Sequence, residues 1–157
     1  MPAQFSLWGL GALVIAALLA TWFRRVENRK SQQVKDLRAK VDSVQKDLEA
    51  VENLAASYFL NPVNHVDAQK TALQIKIKIK QIGTQVTLIH GDESLTRSST
   101  DASILTRHIR FKQAVTLDDF DAADRKVLTA QDPKFEKISK CSSELKQSLE
   151  LLYNANQ

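Results

Sequence analysis

The chain opens on a charge-free, largely apolar run, Phe5 to Phe23, and then changes character abruptly. At 1.5 Å per residue this run spans roughly 28 Å, the thickness of a bilayer core, which predicts a transmembrane helix over 5–23. Trp8 stands near one end and Trp22 and Phe23 at the other. Their rings favour the headgroup boundary and mark the two expected interfaces.

Beyond the run the pattern becomes periodic. Val34, Leu37, Val41, Val44, Leu48, Val51, Ala55 and Tyr58 follow alternating spacings of three and four. Largely charged and amide residues stand between them, so the pattern predicts a coiled-coil or bundle helix over 34–60. Asn61-Pro62 ends it, because proline disfavours helix in the residue before it. The next stretch reads two ways. Leu73, Ile75, Ile77 and Ile79 alternate with Gln and Lys, as in a strand. Ala68, Ala72, Ile75, Ile79, Ile82, Val86 and Ile89 instead keep a helical period over a longer stretch, which predicts a second helix over 66–90. Leu73 and Ile77 would then widen its buried stripe. Gly83, costly inside a helix, would mark a close crossing.

In an antiparallel hairpin folded at 61–64, Asp47 meets Lys78 and Glu52 meets Lys76. In a parallel homodimer Asp47 would face Glu52 of the partner copy. Charge and the short loop favour the hairpin. Further on, Thr96 to Asp101 reads as a polar loop. Ile104, Leu105, His108, Ile109 and Lys112 predict a third helix, capped by Thr100 or Asp101. Thr116 and Asp119 resemble a capping box for a short further helix burying Leu117, Phe120, Ala123, Val127 and Leu128. Asp132-Pro133 is a strong helix start, and Phe135, Ile138, Leu145, Leu149 and Leu152 give the last buried stripe. The expected fold is all-α: one N-terminal transmembrane helix, a basic juxtamembrane stalk over 24–33, and a helical bundle over 34–153. The hairpin would be joined there by two or three further helices over 101–153.

Charge gives the anchor a direction. All 22 Lys and Arg lie beyond Phe23, and Arg24, Arg25, Arg29 and Lys30 follow the apolar run at once. The positive-inside rule then predicts a single-pass inner-membrane protein, N-terminus outside and bundle in the cytoplasm, its basic cluster on lipid headgroups. A cleaved signal peptide would need a basic n-region, which is missing. Ala12, Ala16 and Ala20 recur every four residues, a spacing that lets helices pack closely and form a homo-oligomer in the membrane. With only four Gly and three Pro the chain is poor in turn residues, which counts against an all-β fold. Cys141 is the single cysteine, so no disulfide can form within the chain.

Chemistry is sparse. His65, His90 and His108 stand apart from one another, and none shows metal-helix spacing. His90 with Asp92 and Glu93 is accounted for by an exposed helix end. Asp118, Asp119, Asp121 and Asp124 are accounted for by a helix N-terminus. No phosphate loop or nucleophile motif is present, and no cofactor is expected. Arg107, Arg110 and Lys112 flank His108 and Phe111 in a short cationic stretch that could meet anionic lipid, an acidic protein or, least favoured, nucleic acid. The expected function is a membrane-anchored scaffold, adaptor or regulatory subunit that binds other proteins. An enzyme without a recognisable motif ranks third. The layout of anchor followed by coiled coil resembles that of phage inner-membrane spanin subunits. The resemblance implies, as the second reading, a periplasmic envelope protein; the charge orientation points the other way.

Overall fold

A computed structural model of the chain describes residues 7–62, 67–92, 95, 101–117, 120–122 and 125–157; the side chains of 7–17 and 101–103 lie outside that description. Among the described residues there are four helices and no strand: α1 (Leu7–Leu60), α2 (Ala68–His90), α3 (Asp101–Thr116) and α4 (Pro133–Asn154). The chain divides into two compact units, Met1–Asp36 and Leu37–Gln157, and the backbone of α1 is helical in both.

In the first unit the side chains described on α1 are almost all exposed, including Leu18, Leu19, Trp22 and Phe23. Trp22 and Phe23 stack edge to face with centroids 5.3 Å apart. No helix is long and apolar enough to cross a membrane among the described residues. The span expected over 5–23 is therefore not supported by them, and most of it, Trp8, Ala12 and Ala16 included, lies outside the described side chains.

The second unit is a four-helix bundle. Lys78 Nζ lies 2.6 Å from Asp47 Oδ1, Gln85 donates to Ser43 Oγ at 3.2 Å, and Lys40 lies 3.7 Å from Asp92. Partner numbers fall on one helix as they rise on the other, so α2 runs antiparallel to α1. The same holds for α1 and α4, joined by Arg38 to Glu150 at 2.9 Å, Lys146 to Glu49 at 3.3 Å, and Ser142 Oγ donating to Glu52. Arg107 donates to the Glu144 carbonyl at 2.6 Å and Lys134 to the Leu117 carbonyl at 2.9 Å, which sets α3 antiparallel to α4. The helices thus run up, down, up and down, with α1 and α3 on opposite corners.

The core follows the heptads. Leu37, Val41, Val44, Leu48, Val51, Ala55 and Tyr58 of α1 are buried, with Phe59 beside them, while Val34 is half-buried. On α2 the buried set is Ala68, Ala72, Ile75, Ile79, Ile82, Val86 and Ile89. Fully burying one such aliphatic side chain contributes about 2 kcal/mol, which outweighs the weak strand preference of the alternating isoleucines. Leu73 and Ile77 do not widen that stripe: they are 58% and 47% exposed, since no helix among the described residues covers that side of α2. Glu52 does not meet Lys76. It accepts from Ser142 and lies 3.5 Å from Lys146, both on α4, whereas Lys76 pairs with Asp121.

α3 is rotated from its expected setting. Ile104, Phe111, Ala114 and Val115 are buried and Ile109 is exposed, because the bulkiest apolar side chain, Phe111, takes the core. No helix begins at Thr116, which is the last residue of α3 and donates its hydroxyl back to the Lys112 carbonyl at 2.8 Å. Among its described residues the stretch 117–132 is irregular, and Asp121 has a left-handed φ of 69° that interrupts helical geometry. This stretch closes the end of α1. Leu128 N–H donates to the Phe59 carbonyl at 3.0 Å and Arg125 Nη2 to the Asn61 carbonyl at 3.0 Å, satisfying acceptors at the helix terminus. Phe120 packs on Tyr58 with centroids 5.0 Å apart. Asp119, Asp118 and Asp124 lie outside the described residues. α4 starts where the sequence places it: the Asp132 side chain accepts from Lys134 N–H at 2.9 Å, with Pro133 first in the helix. Its seam passes through Ser142 and Ser148, both fully buried.

Candidate functional site

Helix α2 carries no Asp or Glu anywhere along its length, and α3 carries only Asp101, at its first position. Against that stand Lys70, Lys76, Lys78 and Lys80 on α2 and Arg107, Arg110 and Lys112 on α3. Helices α1 and α4 mix both signs in their bundle portions, so the positive charge concentrates on the α2–α3 side.

That side holds a shallow groove of about 700 Å³. Its α2 wall includes Lys76, Lys80, Gly83, Thr84 and Leu88, and its α3 wall His108 and Lys112. Leu88 is 61% exposed at the groove; Leu73 and Ile77, also exposed, share its side of α2 nearer the start of the helix, with Lys80, Gln81 and Thr84 between them. Thr84 and Thr87 donate their hydroxyls to the Lys80 and Gly83 carbonyls, at 3.1 and 2.8 Å, which leaves their oxygens as acceptors on the groove wall.

Gly83 lets α3 approach α2 at the groove. A Cβ at this position would stand 2.9 Å from Cε1 and 3.2 Å from Nε2 of His108, so the imidazole lies directly on the α2 backbone. The close crossing expected at Gly83 is this contact. Burial lowers the His108 pKa below the ordinary 6.5; a hydrogen bond to the Ile79 backbone opposes that effect and the nearby Lys112 charge adds to it. His108 Nε2 is buried and has no hydrogen-bond partner.

The cationic stretch of α3 does not form one patch. Arg110 and Lys112 are two residues apart, about 200° around a helix, and both are exposed in different directions. Arg107 is turned onto α4, donating to the Glu144 carbonyl. Lys112 alone joins the groove, where its companions are Lys76 and Lys80 of α2. The alternation that suggested a strand concealed this: Lys76 and Lys80 are four apart and share a helical face.

Of the remaining residues singled out in the sequence, Ala20, Trp22, Phe23, Arg24, Arg25, Arg29 and Lys30 are exposed in the first unit, and Arg25 lies beside Leu18, Leu19 and Trp22. His65 and Glu93 lie outside the described residues, and Asp92 is paired with Lys40. Among the described residues no three His, Cys, Asp or Glu gather as metal ligands. Cys141 is half-buried against the core. Partial burial raises its thiol pKa above the ordinary 9.0, and Glu144 raises it further. That disfavours the reactive thiolate.

One feature gave no signal in the sequence. Arg125, within the acidic stretch, is 5% exposed and stacks on Tyr58 with its guanidinium carbon 4.0 Å from the ring centroid. No protein-family model matches the chain, and neither a curated protein nor a solved structure matches it.

Proposed function

We propose that the chain is a membrane-anchored adaptor whose α2–α3 face docks an acidic, amphipathic helix of another protein. The observation that carries the reading is that face itself: exposed Leu73, Ile77 and Leu88 and a basic groove on two helices almost without carboxylates. An amphipathic helix laid in a groove presents anchors at helical spacing, and Leu73, Ile77 and Leu88 offer matching apolar contacts. Lys80 and Lys112 would pair with its acidic flanks, while Lys76 already pairs with Asp121. Unlike charges steer encounter and fix register more than they add affinity.

The anchor belongs to the same reading. The apolar run over 5–23, the exposed Trp22 and Phe23, and the cluster Arg24, Arg25, Arg29 and Lys30 support a single pass with the bundle on the cytoplasmic side. The small-residue stripe Ala12, Ala16 and Ala20 would allow the anchor to self-associate.

The test uses the full chain in a non-ionic detergent and two designed helical peptides with one apolar stripe, flanked by Glu in one and by Lys in the other. The acidic peptide is expected to bind, to weaken with salt, and to lose affinity on Leu88→Glu with Lys80→Glu. Equal binding of both peptides, or no effect of the substitutions, would overturn the reading. Binding to phosphatidylserine vesicles in place of the acidic peptide would replace the protein partner with a lipid surface.

A further inference from the structure

His108 is held between the two walls of the α2–α3 groove, against the backbone of α2. Its two ring nitrogens differ. Nε2 is buried and has no hydrogen-bond partner, so the bond to the Ile79 backbone belongs to Nδ1. That bond favours the charged ring, so the ring is the donor in it. A neutral imidazole that donates from Nδ1 keeps a bare lone pair on Nε2. Nε2 faces Gly83, where a Cβ would stand 3.2 Å from it. The glycine offers only C–H hydrogens at that point, and its carbonyl already accepts from the Thr87 hydroxyl at 2.8 Å. A lone pair tolerates this seat. A second N–H does not, because it would be a charged donor out of reach of water and of any acceptor.

The surrounding charges act in the same direction. Lys76 and Lys80 of α2 and Lys112 of α3 line the groove, and no Asp or Glu lines it among the described residues. Asp121, in the segment after α3, is paired with Lys76. α1 meets α2 on another side, where Asp47 pairs with Lys78. α4 meets α3 on another side, where Arg107 donates to the Glu144 carbonyl. Arg110 is exposed in a different direction from Lys112, and His90 stands about two turns beyond Gly83 at the end of α2. A charge on His108 therefore meets like charges from both walls and a free carboxylate from neither.

We propose that His108 is an acid-sensitive latch between α2 and α3: protonation unseats the ring from Gly83, and the two walls of the groove part. The neutral ring fills the space that the missing side chain of Gly83 leaves open, so its departure removes the closest contact described between the two helices. Once released, the ring gains water and the Thr84 and Thr87 oxygens on the groove wall as acceptors. A partner bridging both walls is released with them. The latch concerns the walls and not their occupant, so it stands or fails apart from helix docking.

The test is amide hydrogen exchange of the full chain in a non-ionic detergent at pH 7 and pH 5, with rates corrected for the intrinsic pH dependence of exchange. Between 6.5 and the lower value of the seated ring, each pH unit increases the local opening constant by up to about tenfold. Residues 79–88 of α2 and 105–112 of α3 are expected to lose protection by about threefold or more at pH 5, while residues 44–55 of α1 and 142–149 of α4 keep theirs. His108→Asn keeps a donor near the place of Nδ1 without a titratable ring, and is expected to abolish the difference. Lys112→Glu, at an exposed position, sets a carboxylate near the ring and is expected to shrink the difference, which keeps the proposal testable if the asparagine variant fails to fold. Equal protection at the two pH values overturns the proposal. So does a loss spread evenly over the four helices, or one that persists in His108→Asn or is unchanged in Lys112→Glu.

Discussion

Replacing Gly83 by Ala tests the contact on which the α2–α3 groove is built. Alanine in a helix interior is favoured over glycine by about 1 kcal/mol, so an open position would be stabilised by that amount. Gly83 is not open. The new Cβ would stand 2.9 Å from His108 Cε1, well inside the roughly 3.5–4.0 Å at which carbon atoms attract. The imidazole can yield only by giving up its hydrogen bond to the Ile79 backbone and its burial, or by pushing α3 away. Overpacking of this kind costs about 1–3 kcal/mol. The expected net effect of Gly83→Ala is therefore a change between none and a loss of about 2 kcal/mol. In a His108→Ala background the obstacle is gone, and the same substitution is expected to stabilise by about 1 kcal/mol. Urea denaturation followed by circular dichroism on the four proteins of the cycle gives the coupling directly. A coupling below about 0.5 kcal/mol, with Gly83→Ala equally stabilising in both backgrounds, would refute the placement of His108 against α2.

Four further outcomes are expected. The depressed His108 pKa means that the folded state favours the neutral ring, so its contribution is complete above pH 6.5 and is lost as pH falls toward the lower folded value. A stability difference between wild type and His108→Gln that is flat between pH 7 and 5 would contradict this. Ile79→Asp puts a carboxylate at a position 5% exposed and is expected to cost more than about 4 kcal/mol, read as loss of helical dichroism. Lys78→Asp sets two carboxylates together where Asp47 now meets Lys78 and is expected to cost about 1 kcal/mol, and exchange of both charges should recover most of it; no recovery would deny the pairing. A cytoplasm-specific reporter fused after Gln157 is expected to be active. Activity of a periplasmic reporter instead would favour the envelope reading with the spanin-like layout.

The sequence by itself determined the helices whose apolar residues keep one period for long enough. The buried face of α2 could be written from Ala68, Ala72, Ile75, Ile79, Ile82, Val86 and Ile89 alone, because three heptads outweigh four residues of alternation. The start of α4 was legible because Asp132 and Pro133 act within one turn of chain. Tertiary structure decided what periodicity does not contain. Periodicity says which residues share a face, but not how wide a strip the neighbouring helices cover, so Leu73 and Ile77 are left exposed. On the shorter α3, Phe111 stands among cations, and packing rather than pattern turned it inward. Glu52 found α4 because a charge pairs with whichever group the fold brings nearest, and the spacing of α1 and α2 alone does not place α4. The acidic stretch around Asp121 looked like a helix start, yet it supplies Arg125 to the end of α1. Local charge cannot foretell that role, since the carbonyl of Asn61 comes within reach only once α1, α3 and α4 have packed together.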